Sequence, residues 1–517
     1  MYDLIIKNGK IIDGTGSPYY RSDIAIKDGK IAKIGKNLED AEKIIDAKGL
    51  TVTPGFIDSH SHSDSSLLTF PDLKEKIEQG ITTSVAGQCG TSPAPISRDI
   101  NPENAKVIGG FGKVTDIYKT MGTFLELAKG QSYGSNTICM VGHGQLRRAV
   151  MGMEKREPTD EEMEKMKSLL RDAMEHGALG MSMGLIYPPS SYSKLEELVA
   201  LGKIVAQYGG VIAAHIRSES VQLIEATEEF IEIVKLSGAR GIHSHHKSSG
   251  HKENWGKVSH SLRLIDKANE EGTEIYLDVY PYIASHTSAS VTFVPDSGQN
   301  LLERLKDAGE REKMKEWGRK KWGDDLSWAM ASRCTAYPQY EGLRIPEIAK
   351  LHGKDVYDTV YDMILDSDNA CSCCYFTMCE EDVETVLAHP RAMICTDSGV
   401  AGNRPVYHPR LRGTFPRALG RYVRERGITT LPEMIRKMTA MPASVYGLWS
   451  KGLIREGMDA DICVFDAEKI IDKSEYTNCT LGAEGLSYVI LGGEVVCENA
   501  TYNGKRKGKL ILREGNL

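Results

Sequence analysis

Residues 51–62 read TVTPGFIDSHSH. The run is apolar and β-branched, closes on Asp58, and is followed by His60 and His62. That is the pattern of a buried strand with metal-competent side chains at its C-terminal end. Seven stretches downstream share the form: GITTSVAG (80–87), TICMVGHG (137–144), ALGMSMGL (178–185), GVIAAHIR (210–217), GIHSHH (241–246), EIYLDVYPY (274–282) and AMICTDSG (392–399). Amphipathic segments separate most of them. TDEEMEKMKSLLRDAMEHG opens on Thr159 as an N-cap and closes at Gly177. Eight strands alternating with helices predict a parallel α/β fold, a TIM-like (β/α)8 barrel over about residues 56–445.

Both chain ends have another texture. DLIIKNGKIIDG and DIAIKDGKIAKIG read as short strands turning at Asn8-Gly9 and Asp28-Gly29. GMDADICVFDAE, LSYVILGGEVVCENATYNGKR and KGKLILREG repeat that texture near the other end. A small β domain formed by both chain termini, residues 1–55 and 446–517, is therefore expected. Residues 288–345, with LLERLKDAGEREKMKEWGRKKWGDD, break the rhythm and predict a charged helical insertion between strands seven and eight. On a barrel's catalytic face it reads equally as a lid or as solvated decoration.

Of the 517 residues, 41% are hydrophobic and 26% charged, which excludes a disordered, mucin-like or collagen-like chain. A net charge of −7 without long single-sign runs gives no support for nucleic-acid or acidic-membrane partners. The N-terminus, interrupted by Asp3 and Lys7, is not a signal peptide, and no 18-residue apolar run predicts a membrane span. Eleven cysteines in no disulfide-like spacing point to a reducing, cytoplasmic location. Cys371, Cys373, Cys374 and Cys379 crowd together, but C-x-C-C-x4-C is not a usual zinc spacing, so buried thiols are the simpler reading.

The chemistry collects at the strand ends. Alternation puts His60 and His62 on one side of an extended chain, where two imidazoles can chelate one ion. Cys89 ends strand two as a thiolate ligand or a buried small hydrophobe. His215 ends strand five. After strand six, alternation places His243 and His245 on one face and His246 on the other. Asp397, after strand eight, becomes a general-base candidate only if it faces a metal.

These residues, in this order, resemble the amidohydrolase superfamily. GITTSVAGQCGTSPAP, VGHGQLRRAVMG, GALGMSMGLIYPP, SHHK, DVYPY and HPRLRGTFPRALGRYVRE resemble its N-acyl-D-amino-acid deacylase (D-aminoacylase) family over nearly the whole chain. The resemblance implies a zinc-dependent hydrolase of the linear amide of N-acyl-D-amino acids. It implies one tight Zn2+ on Cys89, His215 and His245, and a weaker second position at His60 and His62. Asp397 lies between them and moves the proton. Strand four has no lysine, so the carboxylated-lysine bridge of hydantoinase-type centres is not expected, and Cys89 takes that position. By the same resemblance Lys247, Tyr280 and Arg410 hold the carboxylate of a small-molecule substrate, and Tyr187 lines the pocket. His286 stands where the family has serine, so it either binds the carboxylate or marks a different substrate. His143 and Arg147 also match the family, touching substrate or bracing the barrel. His176, His260, His352 and His389 read as structural or exposed. A cyclic amidase or deaminase on the same scaffold is the nearest alternative, and a catalytically dead scaffold the remote one. Nothing in the sequence sets the oligomeric state.

Overall fold

A computed structural model describes residues 1–101, 106–108 and 111–513. The eight barrel strands are Phe56–Asp58, Ile81–Ala86, Asn136–Cys139, Gly180–Gly184, Val211–His215, Arg240–His243, Ile275–Val279 and Ala392–Ile394. Neighbours pair in parallel in chain order. Strand three breaks at Met140, and Val141–Gly142 carries the pairing to strand four. Strand eight closes on strand one through Ser59 N to Ile394 O, Asp397 N to His60 O and a bridge between Ser61 and Ser398. These strands are buried along their length, as a sheet covered on both faces requires.

The closing seam is bolted by Lys76. Its buried ammonium donates to Asp58 Oδ2 (2.8 Å), Thr396 Oγ1 (2.8 Å) and Ser398 O (2.9 Å). A paired charge at zero exposure persists only with its donors satisfied, and breaking such a pair costs about 3–5 kcal/mol.

The quoted stretch 51–62 is two strands, not one. Thr51–Pro54 belongs to a nine-stranded sheet, and Phe56–Asp58 to the barrel. Gly55 is the joint: a Cβ there would lie 2.2 Å from Thr82 Oγ1. The nine-stranded sheet takes five strands from residues 2–54 and four from residues 462–502, so the β domain is built from both chain ends. Asp28-Gly29 is the expected hairpin turn. Asn8-Gly9 is not: Tyr2–Ile11 runs straight through it as a bulge, with Asn8 at φ 62°. The strand continues because both its flanks are paired, to Tyr20–Lys27 and to Ala41–Asp46 and Thr51–Pro54. Past Tyr502 the chain returns to the barrel, where Gly508 bridges Tyr133 and Leu510 bridges Thr137.

The helix after Thr159 forms as read. It spans Asp160–Glu175, and Thr159 and Glu162 make a reciprocal capping box worth about 1 kcal/mol. The insertion differs from its sequence reading. It contains a three-stranded antiparallel sheet, Ser285–Ser288, Cys371–Tyr375 and Ala329–Cys334, beside its helices. It therefore extends to Tyr375 and has its own core of Phe293, Leu305, Met314, Tyr357 and Tyr361. The strands SHTS, AMASRC and CSCCY are short and show no apolar–polar alternation, so no strand period marks them. Cys371 and Cys373 are packing residues of that core.

Candidate metal centre and substrate cavity

Six side chains from five strand ends converge at the barrel mouth. Cys89 Sγ lies 3.3 Å from His60 Nε2, 3.3 Å from His245 Nε2 and 3.8 Å from His215 Nδ1. Asp397 Oδ1 lies 3.1 Å from His62 Nε2 and 3.7 Å from His60 Nε2. Two overlapping groups result, His60-His62-Cys89-Asp397 and Cys89-His215-His245, each with its donor atoms within 4.8 Å of one another. Cys89 is common to both. A thiolate with imidazoles suits zinc, and a shared thiolate suits two neighbouring positions.

The local backbone is bent to achieve this. Cys89, His245 and Asp397 all lie in the left-handed region, at φ 53°, 35° and 46°. Non-glycine residues are seldom held there, and such positions cluster at functional sites. The turn at His245 overrides the alternation read from the sequence. Strand six ends at His243, whose Nδ1 faces His246 Nδ1 at 3.0 Å on the other side of the strand. His246 Nε2 meets Ser261 Oγ at 2.9 Å. His245 alone of the three enters the cluster.

The electrostatics favour a charged, ligating state. Burial opposes ionisation of the Cys89 thiol, but His60 and His245 hold it well below its ordinary value. Burial likewise opposes the Asp397 carboxylate, but Arg410, His245, His62 and His60 together hold it well below the usual carboxylate range. His60 and His215 turn Nε2 and Nδ1 toward Cys89, and their other ring nitrogens face Asp278 Oδ1 at 3.5 Å and Glu219 Oε2 at 3.6 Å, the kind of outer carboxylate that orients a ligating imidazole.

Two acids escaped the sequence reading. Glu219 Oε1 lies 2.8 Å from His245 Nδ1 and 2.5 Å from Lys247 Nζ. Asp278 Oδ1 accepts from His245 N at 2.6 Å and lies 3.5 Å from His60 Nδ1. The signal for Asp278 was a carboxylate inside the apolar run EIYLDVYPY. Glu219, four residues past His215 in a polar loop, left none.

The cluster floors a cavity of about 640 Å3. Tyr187, Lys247, Tyr280, His286 and Arg410 all line it. Arg410 Nη1 donates to Asp397 Oδ2 at 2.6 Å, and its Nε is buried without a partner. Lys247 is held by Glu219, and the Tyr280 ring lies under Arg410 at 4.8 Å. Tyr187 packs edge-on against His215 at 4.9 Å. His286 Nε2 meets Ser332 Oγ at 2.9 Å, and Ser332 Oγ donates to Ser372 O. Burial and the nearby Arg410 push the imidazole down to about 3, so it is neutral. Trp322, Trp328 and Tyr375 of the insertion form one wall.

His143 and Arg147 do not line the cavity. His143 bridges Ser190 Oγ and Glu197 Oε1, both at 2.8 Å, and Arg147 Nη1 reaches Glu197 Oε2 at 2.5 Å. They brace the barrel.

Residues 43–313 and 376–497 match the sequence profile of the amidohydrolase family, and the gap falls in the insertion. The chain is 33% identical to a D-aminoacylase of Alcaligenes xylosoxydans xylosoxydans, over 99% of this chain and 98% of that one. It is 32% identical to an N-acyl-D-glutamate deacylase of the same organism, over 100% and 97% of the two chains. A solved N-acyl-D-glutamate deacylase of Bordetella bronchiseptica, complexed with zinc and a phosphonate inhibitor, superposes with a TM-score of 0.84 at 32% identity, covering 99% of this chain and 100% of that one. An L-hydantoinase of Arthrobacter aurescens, at 17% identity and a TM-score of 0.59, shares the fold. The chain belongs to the amidohydrolase family, in the group that holds the D-aminoacylases and N-acyl-D-amino-acid deacylases.

Proposed function

We propose that this protein hydrolyses the linear amide of N-acyl-D-amino acids to a carboxylate and a free D-amino acid, with zinc. The convergence of Cys89, His215 and His245 with His60, His62 and Asp397 at the floor of one cavity carries the reading. The full-length likeness to D-aminoacylase supports it and is the sole source of the D configuration.

Cys89, His215 and His245 would hold the tighter zinc, and His60 and His62 a weaker second one that shares Cys89. When bound, zinc supplies a Lewis acid for the acyl carbonyl and lowers the pKa of water. Asp397 Oδ1 accepts the proton of the attacking water and returns it to the leaving nitrogen. Its ion pair with Arg410 keeps it ionised before that transfer. Arg410, which lines the cavity, offers its guanidinium to the α-carboxylate, and Tyr280 supports it from below. Lys247 fixes Glu219 and through it His245, so it acts on the ligand as well as on the substrate's charge. Tyr187 covers His215 and limits water access. Neutral His286 contributes an imidazole hydrogen bond, not a counter-charge.

A hydantoinase-like reading has no matching support. Strand four, Gly180–Gly184, carries no lysine to bridge two metals. No helix among the described residues is long and apolar enough to cross a membrane, and all eleven cysteines are free and buried, which supports a cytoplasmic site of action.

Zinc content measured together with hydrolysis of paired N-acetyl-D- and N-acetyl-L-amino acids tests the proposal. About one zinc per chain with turnover confined to the D series is expected. Zinc without turnover of either series overturns the substrate. Turnover of hydantoins instead overturns the linear amide.

A further inference from the structure

Five lysine and arginine side chains line the cavity: Arg148, Arg217, Lys247, Lys321 and Arg410. Three are paired with acids. Arg410 meets Asp397, Lys247 meets Glu219, and Arg217 makes a two-pronged pair with Glu229 at 2.8 and 3.0 Å. Lys321 is exposed and lies over the rings of Trp317 and Trp322, each at 4.8 Å. Arg148 is different. It is half-buried, its Nε is buried without a partner, and its one side-chain hydrogen bond is a long one from Nη2 to Pro188 O, 3.3 Å. No carboxylate among the described residues pairs with it. Burial works against its charge. A guanidinium left in this state is costly unless a ligand supplies the anion.

Its place in the barrel says which part of a ligand that is. Arg148 lies on the helix His143–Met151, which follows strand three. Tyr280 follows strand seven, and Arg410 opens the helix after strand eight. In an eight-stranded barrel paired in chain order, strand three stands opposite strand seven, and the metal cluster lies between. An N-acyl amino acid whose α-carboxylate is at Arg410 and whose amide is over the cluster directs its acyl chain toward Arg148.

The geometry points to an acyl group that itself ends in an anion: Arg148 recognises the distal carboxylate of a dicarboxylic half-amide, such as an N-succinyl amino acid. This inference rests on the proposed orientation of substrate at Arg410. The site is then a clamp with a guanidinium at each end and the scissile amide in the middle. A pair of charge-assisted hydrogen bonds at the acyl end distinguishes succinyl from butyryl, its match in length with a methyl in place of the carboxylate.

The test compares kcat/KM for N-succinyl and N-butyryl forms across a panel of D-amino acids. The purified protein and its Arg148→Met and Arg148→Lys variants are used, with zinc content as the check on the fold. The succinyl form is expected to exceed the butyryl form by about tenfold or more. In Arg148→Met that ratio is expected to fall to near one, and in Arg148→Lys to be kept in part. Equal rates for the two forms in the unaltered protein overturn the inference, as does a ratio that survives Arg148→Met. Should neither form be turned over, the hydrolase reading fails by itself. Calorimetric binding of succinate against butyrate then decides: tighter succinate binding that Arg148→Met abolishes supports the anion site, and equal binding overturns it.

Discussion

Two buried polar clusters sit at the mouth of this barrel, and they differ in the backbone that carries them and in what they face. One is the Ser190-His143-Glu197-Arg147 chain. Its contacts close on one another at 2.5–2.8 Å, both His143 nitrogens are used, and it does not line the cavity over Cys89. The other is the cluster around Cys89. It bends three residues into the left-handed region, opens onto a cavity, and keeps Asp278 and Glu219 behind the rings of His60 and His215. Both contain histidine and a carboxylate, and both include residues of motifs that resemble the same family. What separates them is the backbone and the cavity. A chain of ion pairs set away from the cavity stabilises the barrel, whereas donor atoms carried on strained backbone and facing a cavity mark a functional site.

Substitutions in the two clusters should therefore separate zinc, turnover and stability. Cys89→Ala has the largest expected effect, because it removes the one ligand common to both groups. Zinc should be lost and hydrolysis should fall to background, checked by metal analysis on the purified variant. Unchanged zinc would take Cys89 out of the centre. Asp397→Asn should keep zinc but lower kcat by about 10²–10⁴-fold, the usual share of a positioned proton carrier. Zinc lost along with activity would make Asp397 mainly a ligand.

Glu197→Ala addresses the closed cluster. It leaves Arg147, at zero exposure, without its carboxylate. Unfolding free energy should drop by about 3–5 kcal/mol in denaturant titration, while zinc per folded chain stays the same. Zinc loss at full stability would erase the distinction between the clusters. Arg410→Gln has the smallest expected effect. It removes a charge-assisted hydrogen bond of about 1.5–3 kcal/mol to the substrate carboxylate and also the ion-pair partner of Asp397, so kcat falls alongside the change in KM. KM for N-acyl-D-amino acids should rise by roughly tenfold to a hundredfold. An unchanged KM would end the carboxylate role of Arg410.

The sequence carried the barrel because each strand is a short apolar run ending in polar residues, and that pattern repeats eight times. It carried Cys89, His215 and Asp397 as candidates because each stands at such an end. It did not carry Glu219, which sits in a loop with no periodicity, or the inserted sheet, whose strands are short and do not alternate. Alternation alone did not resolve the SHHK motif, where the family resemblance pointed to His245. Alternation holds only while a strand lasts, and strand six stops at His243.

The sequence by itself determined the strand order, the ligand types and the β domain drawn from both ends, because periodicity and side-chain chemistry are local properties. Only the tertiary structure decided how His245 turns into the centre, which carboxylates support it, that Asn8-Gly9 bulges without turning, and that no carboxylate among the described residues meets Arg148. Those outcomes depend on backbone handedness at single residues and on partners tens to hundreds of positions away. A one-dimensional pattern holds no record of either.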